Sequence, residues 1–459
     1  MSGLEAFGGL DGSLVWRGDQ DYEETRRSML WNEWKPSRFP ELIVTAASEE
    51  DVVGAVKFAC SRGLKIAVRA GGHSWCGSPL REGGMLIDLS QLRELSVDPA
   101  ARTARLQPGV TSRELASALA EYELAFPVGH CGHVGLSGFL LSGGLGWNSG
   151  AWGPACLSIR GLEVVTADGQ VASADENRNA ELFWAARGAG PGFCGVVTRF
   201  HLRLYTLPKA ITSSTYIYPL EDAENVSSWA AEARTALPPP VELTLLLASA
   251  PPEVASKPGE KVVVLTSTAF VDSWDEASRA LALLEACPAR DRCLMRQVNE
   301  PTPFEALYDS QDAAWPEGHR YAADNLWSNA DLTEVVPRLR EHIVRAPSAK
   351  SLVLVVMPPI APAGAQLPDM AFSMLGKTLV ACYSVWEDEA DDEANIGWLR
   401  DAIEALEPLA VGRYVAETDL RADPSRPTRS FSTAAWERLT TLRERLDPQG
   451  LFQPYLGMD

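Results

Sequence analysis

The chain has 459 residues, 46% hydrophobic and 22% charged, with a formal net charge of −20; that length suits two or three domain-sized units or one large two-part enzyme. Such acidity argues against a nucleic-acid partner, which needs clustered Lys and Arg, and against an anionic membrane surface. No apolar run approaches the roughly 18–20 residues of a membrane span and no secretory signal opens the chain. Its eight cysteines are too sparse for a disulfide scaffold, so a cytoplasmic, mostly reduced protein is expected.

The pattern predicts one amphipathic helix near Tyr22 to Trp34, then a strand over Glu41 to Ala46. Ser48 with Asp51 is a capping start for a helix over Asp51 to Ser61, with Gly63 as its C-cap. The apolar run Leu64 to Val68 reads as a buried strand ending in Arg69-Ala70-Gly71-Gly72-His73-Ser74, and Met85 to Leu89 reads as the next strand. Two adjacent glycines let the backbone turn tightly and approach a bulky ligand, and successive N–H groups in such a turn suit a pyrophosphate. Thr111 to Glu114 is a capping box opening a helix to about Tyr122. A second glycine-rich stretch runs from Val128 through Gly129-His130-Cys131-Gly132-His133-Val134-Gly135 and Gly138 to Ser142-Gly143-Gly144-Leu145-Gly146.

A hairpin follows, Leu162 to Thr166 and Val171 to Ala174, turning at Asp168-Gly169. Glu181 to Arg187 reads as helix. Gly190, Gly192 and Gly195 match the Gly-x-Gly-x-x-Gly spacing, but a helix precedes them and a strand, Val196 to Leu204, follows. A dinucleotide site needs the reverse order, so that reading is rejected. Beyond Pro208 glycine thins out, and strand-like runs appear at Thr212 to Tyr218, Glu242 to Leu247, Lys261 to Thr266, Leu352 to Met357 and Thr378 to Trp386. Helical stretches separate them, such as Ala223 to Ala236 and Asp275 to Ala286, while Pro238 to Pro240 and Pro358 to Pro368 read as loops. A sheet with helices on one face is expected. The chain ends in a helix, Phe431 to Leu446, and a turn at Asp447-Pro448.

The pair of glycine-rich motifs resembles the FAD-binding half of the vanillyl-alcohol oxidase superfamily, nearest its berberine-bridge-enzyme-like and hydroxynicotine-oxidase branch. The resemblance extends over most of the chain and is strongest from about Arg38 to Tyr205. It implies an α+β fold: a two-part FAD-binding domain of the PCMH type and a substrate domain with an antiparallel sheet covered by helices. The first would comprise residues 1–207, the second 208–413, with 414–459 returning to the FAD domain. It implies FAD linked covalently through His73 and through a thioether to Cys131. Arg69 to Ser74, Gly129, Val134, Gly135, Gly138, Ser142, Gly143, Gly146, Gly195, Val197 and Tyr455 would complete the cofactor site. The implied reaction is hydride removal from a carbon bearing an OH or an amine, delivered to flavin N5, with molecular oxygen as acceptor. Val134 falls where a valine goes with oxygen access, which favours an oxidase over a dehydrogenase.

Candidate bases are Tyr414 and Glu417, in a segment where Ala416 replaces the family's asparagine. Trp152 and Phe139 likewise stand where relatives carry a tyrosine and a histidine. Candidate substrate contacts are His130, Trp152, Trp327, Gln366, Tyr383 and Trp386. Among Trp75, Trp147, Trp152, Trp327 and Trp386, one or two are expected in the site and the rest in the core. His130, Cys131 and His133 offer three metal donors without a fourth, so no metal is expected. The alternatives are a dehydrogenase with another acceptor and a silent flavin- or ligand-binding protein. The partner is a small molecule whose identity, like the oligomeric state, is not legible.

Overall fold

The structure is a computed structural model describing residues 9–257, 259–358 and 367–458. Three sheets organise it. The first has four strands in the order Ser13–Trp16, Leu42–Thr45, Met85–Asp88, Ile66–Arg69; the second and fourth run parallel to the third. Its strands are apolar on both faces, as a parallel sheet covered on both sides requires. Helix Glu49–Arg62 supplies one cover through Val52, Ala55, Val56 and Ala59. Ser48 caps that helix by accepting from the Asp51 amide, and Gly63 closes it at φ 64°. The C-terminal segment returns here: Phe452 bridges to Ile66, and the Gln453 amide donates to the Ile66 carbonyl.

The second sheet is antiparallel, ordered Leu95–Asp98, Thr103–Leu106, Val196–Arg203, Ile159–Val165, Val171–Ala174. It contains the expected hairpin, with Gly169 at φ 72° in the turn.

The third sheet is antiparallel with eight strands: Met295–Pro301, Ala210–Pro219, Lys261–Val271, Val241–Ser249, Leu352–Val356, Thr378–Trp386, Arg320–Ser328 and Ala410–Gly412. One face packs under helices Ala223–Arg234, Trp274–Leu281, Leu332–Val344 and Asp392–Glu404, in a core that includes Leu243, Leu245, Val353, Val355 and Cys382. The opposite face presents Thr244, Leu246, Leu352, Leu354 and Tyr383 towards the first two sheets. The α+β class and the antiparallel, helix-covered sheet are as expected. Among the described residues no helix is long and apolar enough to cross a membrane.

Three expectations change. The helix from Tyr22 ends at Ser28, because Trp31 and Asn32 are drawn into tertiary hydrogen bonds with Gly72 and Tyr321. The stretch Asp275 to Ala286 is an α-helix only to Leu281 and then tightens into a 3₁₀ segment, Ala282–Ala286. The strands Met295–Pro301 and Arg320–Ser328 had no periodic signal: the first is a largely exposed edge, and the second carries Asp324-Asn325 at its centre. Most of the Pro358 to Pro368 loop lies outside the described residues.

Candidate active site

The turn after strand Ile66–Arg69 meets the second glycine-rich stretch backbone to backbone. A Cβ on Gly71 would lie 2.5 Å from the Gly135 amide nitrogen, and one on Gly135 would lie 2.6 Å from the Gly71 Cα. Only two glycines allow this approach. Gly72 sits at φ 73°, turning the chain so that His73 and Ser74 follow along the wall. Arg69 braces the turn from behind, donating to Asp88 at 2.8 Å and to the Met29 carbonyl at 3.1 Å. Between the two stretches lies a cavity of about 300 Å³, walled also by Gly190 to Val197, Tyr414 to Leu420 and Phe452-Gln453. A Cβ on Gly138 would meet nothing within 4 Å, so this glycine leaves room on the cavity side.

His73 is held in a stack of rings. Trp31 lies on one side at 4.8 Å and His133 on the other at 6.0 Å, with Tyr321 beyond Trp31 at 4.7 Å. Burial, helped by His133 and Arg69, lowers the His73 pKa to about 3, so its imidazole is neutral with a lone pair to offer. Cys131 lines the same cavity, and burial pushes its thiol up to about 12, with Glu417 and Asp312 adding to the rise. His73 Nε2, Trp31 Nε1, His133 Nδ1, the Tyr308 hydroxyl and Asp312 Oδ1 are buried without a hydrogen-bond partner. Of these atoms His73 Nε2 lies on the cavity wall, where an unpaired buried nitrogen fits a group bound there.

Glu417 stands on the wall formed by the third sheet. It accepts from the Tyr383 hydroxyl at 2.7 Å. Burial raises the Glu417 pKa, against the Tyr383 hydrogen bond and the field of His130, which lower it. Burial and Glu417 together keep Tyr383 protonated. The Tyr414 hydroxyl accepts from the Leu145 amide at 3.3 Å, and burial raises its pKa too.

The loop carrying Tyr414 and Glu417 is gripped by one strand. Asn325 donates to the Tyr414 carbonyl at 2.9 Å and accepts from the Tyr414 amide at 2.7 Å. Asp324, fully buried, accepts from the Thr418 hydroxyl at 2.9 Å and the Asp419 amide at 3.1 Å, and pairs with Arg413 and Arg426. Successive residues of a strand point to opposite faces, so this pair takes the loop from both sides.

Of the sequence candidates, Arg69 to Ser74, Gly129, His130, Cys131, Val134, Gly135, Gly138, Ser142, Gly195, Val197, Tyr414 and Glu417 line the cavity, and Tyr383 reaches it through Glu417. His130 lies 3.6 Å from Glu242. Several others pack away from the wall. A Cβ on Gly143 would strike the Phe372 ring, and one on Gly146 the Val128 carbonyl. Tyr455 packs beneath Gly192 and donates to the Ala189 carbonyl at 2.6 Å. Trp152 stacks on Tyr205 at 4.9 Å, Trp327 is core at 1% exposure, and Trp386 donates to Asp392 at 2.7 Å. Of the five tryptophans considered, Trp75 alone is on the wall. Gln366 lies outside the described residues. Among those residues, no group of three His, Cys, Asp or Glu side chains is placed to hold a metal ion. The sequence reading missed Trp31, Asp312, Tyr308 and the Asp324-Asn325 pair, none of which belongs to a local motif.

A covered parallel sheet whose glycine turn meets a second glycine-rich stretch, with a helix-backed antiparallel sheet facing them, defines a flavin-binding oxidoreductase. Residues 40–175 match the FAD binding domain family. The chain is 33% identical over 449 residues to the FAD-linked oxidoreductase nodO of Hypoxylon pulicicidum, covering 95% of each. It is 36% identical over 200 residues to (R)-6-hydroxynicotine oxidase of Paenarthrobacter nicotinovorans, 44% of this chain and 43% of that one. The crystal structure of 6-hydroxy-D-nicotine oxidase from Arthrobacter nicotinovorans superposes with a TM-score of 0.85 at 21% identity, covering 98% of both. The chain belongs to the FAD-linked oxidoreductases of the vanillyl-alcohol oxidase, PCMH-type superfamily. It is an FAD-dependent oxidoreductase, and the glycine contact and the unpaired His73 nitrogen described above fit that cofactor.

Proposed function

We propose that this protein is an oxidase that holds FAD covalently through His73 and Cys131 and oxidises a small organic alcohol or amine. The observation that carries this reading is that the neutral His73, Cys131 and the buried carboxylate of Glu417 line one cavity. FAD held there would supply two-electron redox chemistry, with O2 as the acceptor. Glu417 accepts the substrate O–H or N–H proton; its raised pKa makes it a stronger base than an exposed carboxylate. Tyr383 orients that carboxylate through its hydrogen bond. Tyr414, tethered to the Leu145 amide, anchors the substrate from the flavin side. Val134, a small side chain on the wall, supports oxygen as the acceptor, as does the oxidase activity of the hydroxynicotine relative.

The test is the intact mass of acid-denatured protein beside its visible spectrum. A mass higher by one FAD, retained colour and flavin peptides containing His73 and Cys131 are expected. Flavin released into the supernatant would refute the covalent linkage. Peroxide formed in air with substrate separates an oxidase from a dehydrogenase.

A further inference from the structure

Beyond Glu417, the cavity wall continues onto an aromatic and apolar patch that belongs to neither large core. Trp75 lies on the cavity wall, and its ring is 5.5 Å from Tyr383 and 5.7 Å from Trp315; Trp315 is 4.8 Å from Tyr383. On the sheet beneath, Leu352 sits opposite Tyr383 and Leu354 opposite Ala381, so all four share the face turned towards the flavin unit. Trp75, Trp315, Leu352 and Leu354 are half-buried, leaving carbon surface available. The polar atoms of this patch are already committed: the Tyr383 hydroxyl to Glu417, and the Trp315 indole N–H to Gln311 at 3.2 Å. Among the described side chains of the patch, the Glu417 carboxylate and the Trp75 indole N–H remain.

We propose that the substrate is a mainly aromatic or hydrocarbon molecule with a single alcohol or amine, not a sugar, and that its apolar body lies on Trp75, Trp315, Leu352 and Leu354. This rests on the FAD-oxidase reading. Apolar surface leaving water drives such binding. A sugar would press several hydroxyls against carbon with few polar groups among the described patch residues to answer them, and an unanswered buried hydroxyl opposes binding. Glu417, at the edge of the patch, addresses the one O–H or N–H of the reacting carbon.

The experiment uses the flavin-loaded protein. Benzyl alcohol, 2-naphthylmethanol, glucose and xylobiose are titrated without oxygen, reading the concentration that half-perturbs or bleaches the flavin spectrum. The expected result is at least a tenfold lower value for the naphthyl than for the benzyl compound, and for both than for the sugars. Leu354→Asn, first checked for an unchanged melting profile, should raise the naphthyl value about tenfold and leave the sugar values alone. The chain's own preference is read on the unaltered protein, so it stands even if that variant misfolds. Sugars acting at equal or lower concentration, no gain from the second ring, or no response to either class would each overturn the proposal. Flavin content and bleaching by dithionite are recorded beforehand. Protein that retains no flavin refutes the oxidase reading, and tryptophan-fluorescence quenching by the same alcohols, compared with Trp315→Phe, then decides whether the patch binds them.

Discussion

Glu417 and Tyr383 share one proton-bearing hydrogen bond, and their environments push both groups towards the protonated form. A base must be ionised, so turnover should fall on the acid side at a pH above the ordinary carboxylate range. Tyr383→Phe removes a donor that favours the carboxylate, so the Glu417 pKa rises further and the acid limb of the kcat/KM profile moves to higher pH; a limb that stays put would show the bond to be structural. Glu417→Gln should slow anaerobic flavin reduction by about 10²-fold or more, measured by stopped flow. The same residue carries a stability signature. Its folded pKa lies above the unfolded value, so its contribution is full at low pH and is lost as pH rises through the folded pKa. Glu417→Gln should therefore melt higher relative to the parent above that window than below it. His73 and Cys131, the proposed attachment points, differ in protonation: His73 is neutral throughout the physiological range, while Cys131 is a thiol at neutral pH. In flavin-free protein, iodoacetamide should label Cys131 far more slowly than the exposed Cys60, with the Cys131 rate still climbing at the highest pH tested. Peptide mapping reads both sites.

Strand Arg320–Ser328 shows how an element can serve the site without touching it. Its polar pair would weaken an ordinary strand, yet here Asp324 and Asn325 hold the segment bearing Tyr414 and Glu417. Asn325→Ala would leave the Tyr414 amide and carbonyl buried and unpaired, a loss of about 1–3 kcal/mol for each. The expected outcome is a lower melting temperature and a larger loss in kcat than gain in KM, because the proposed base and anchor, Glu417 and Tyr414, shift together. Asp324→Ala takes a buried carboxylate from Arg426 and from Arg413, which keeps Glu407 as its counter-charge, and should cost more, about 3–5 kcal/mol. On the flavin side, the comparable element is the crossing of Gly71 and Gly135. Gly71→Ala drives a Cβ into the Gly135 backbone, so the turn must open. Gel-filtered protein should then retain less FAD than the parent while keeping its far-ultraviolet dichroism.

At the scale of the whole molecule, the cavity draws its walls from five stretches spread between residues 66 and 453. The N-terminal segment ties the halves as well: Asn32 bonds both to Trp75 and to Tyr321, and Trp34 packs against Arg421 at 4.0 Å. A ligand that fills the cavity therefore stabilises every one of these segments in the folded state. FAD loading should raise the melting temperature, by the equivalent of about 4 kcal/mol at a thousandfold excess over Kd. Thermal melts of flavin-free and reconstituted protein check this.

How much was legible beforehand follows from the range of the forces involved. Caps, turns and strand alternation are decided within a few residues, so Ser48, Gly63, the Thr111–Glu114 box and the Asp168-Gly169 turn were readable in order along the chain. The α+β class came with the family resemblance of the two glycine-rich motifs, which also pointed to FAD. What a residue faces is a different matter, since it depends on partners far away in sequence. Trp152, Trp327 and Trp386 carry the same local signal as Trp75, but only packing sends Trp75 to the cavity, Trp152 onto Tyr205 and the other two to the core. Gly143 and Gly146 look like Gly138 in sequence, yet a neighbouring ring and a carbonyl set their purpose. The sequence by itself determined the local elements and the flavin motifs. Tertiary structure alone decided which side chains share the cavity, because burial and hydrogen-bond partners at Glu417, Tyr383 and Asn325 come from strands more than thirty residues apart.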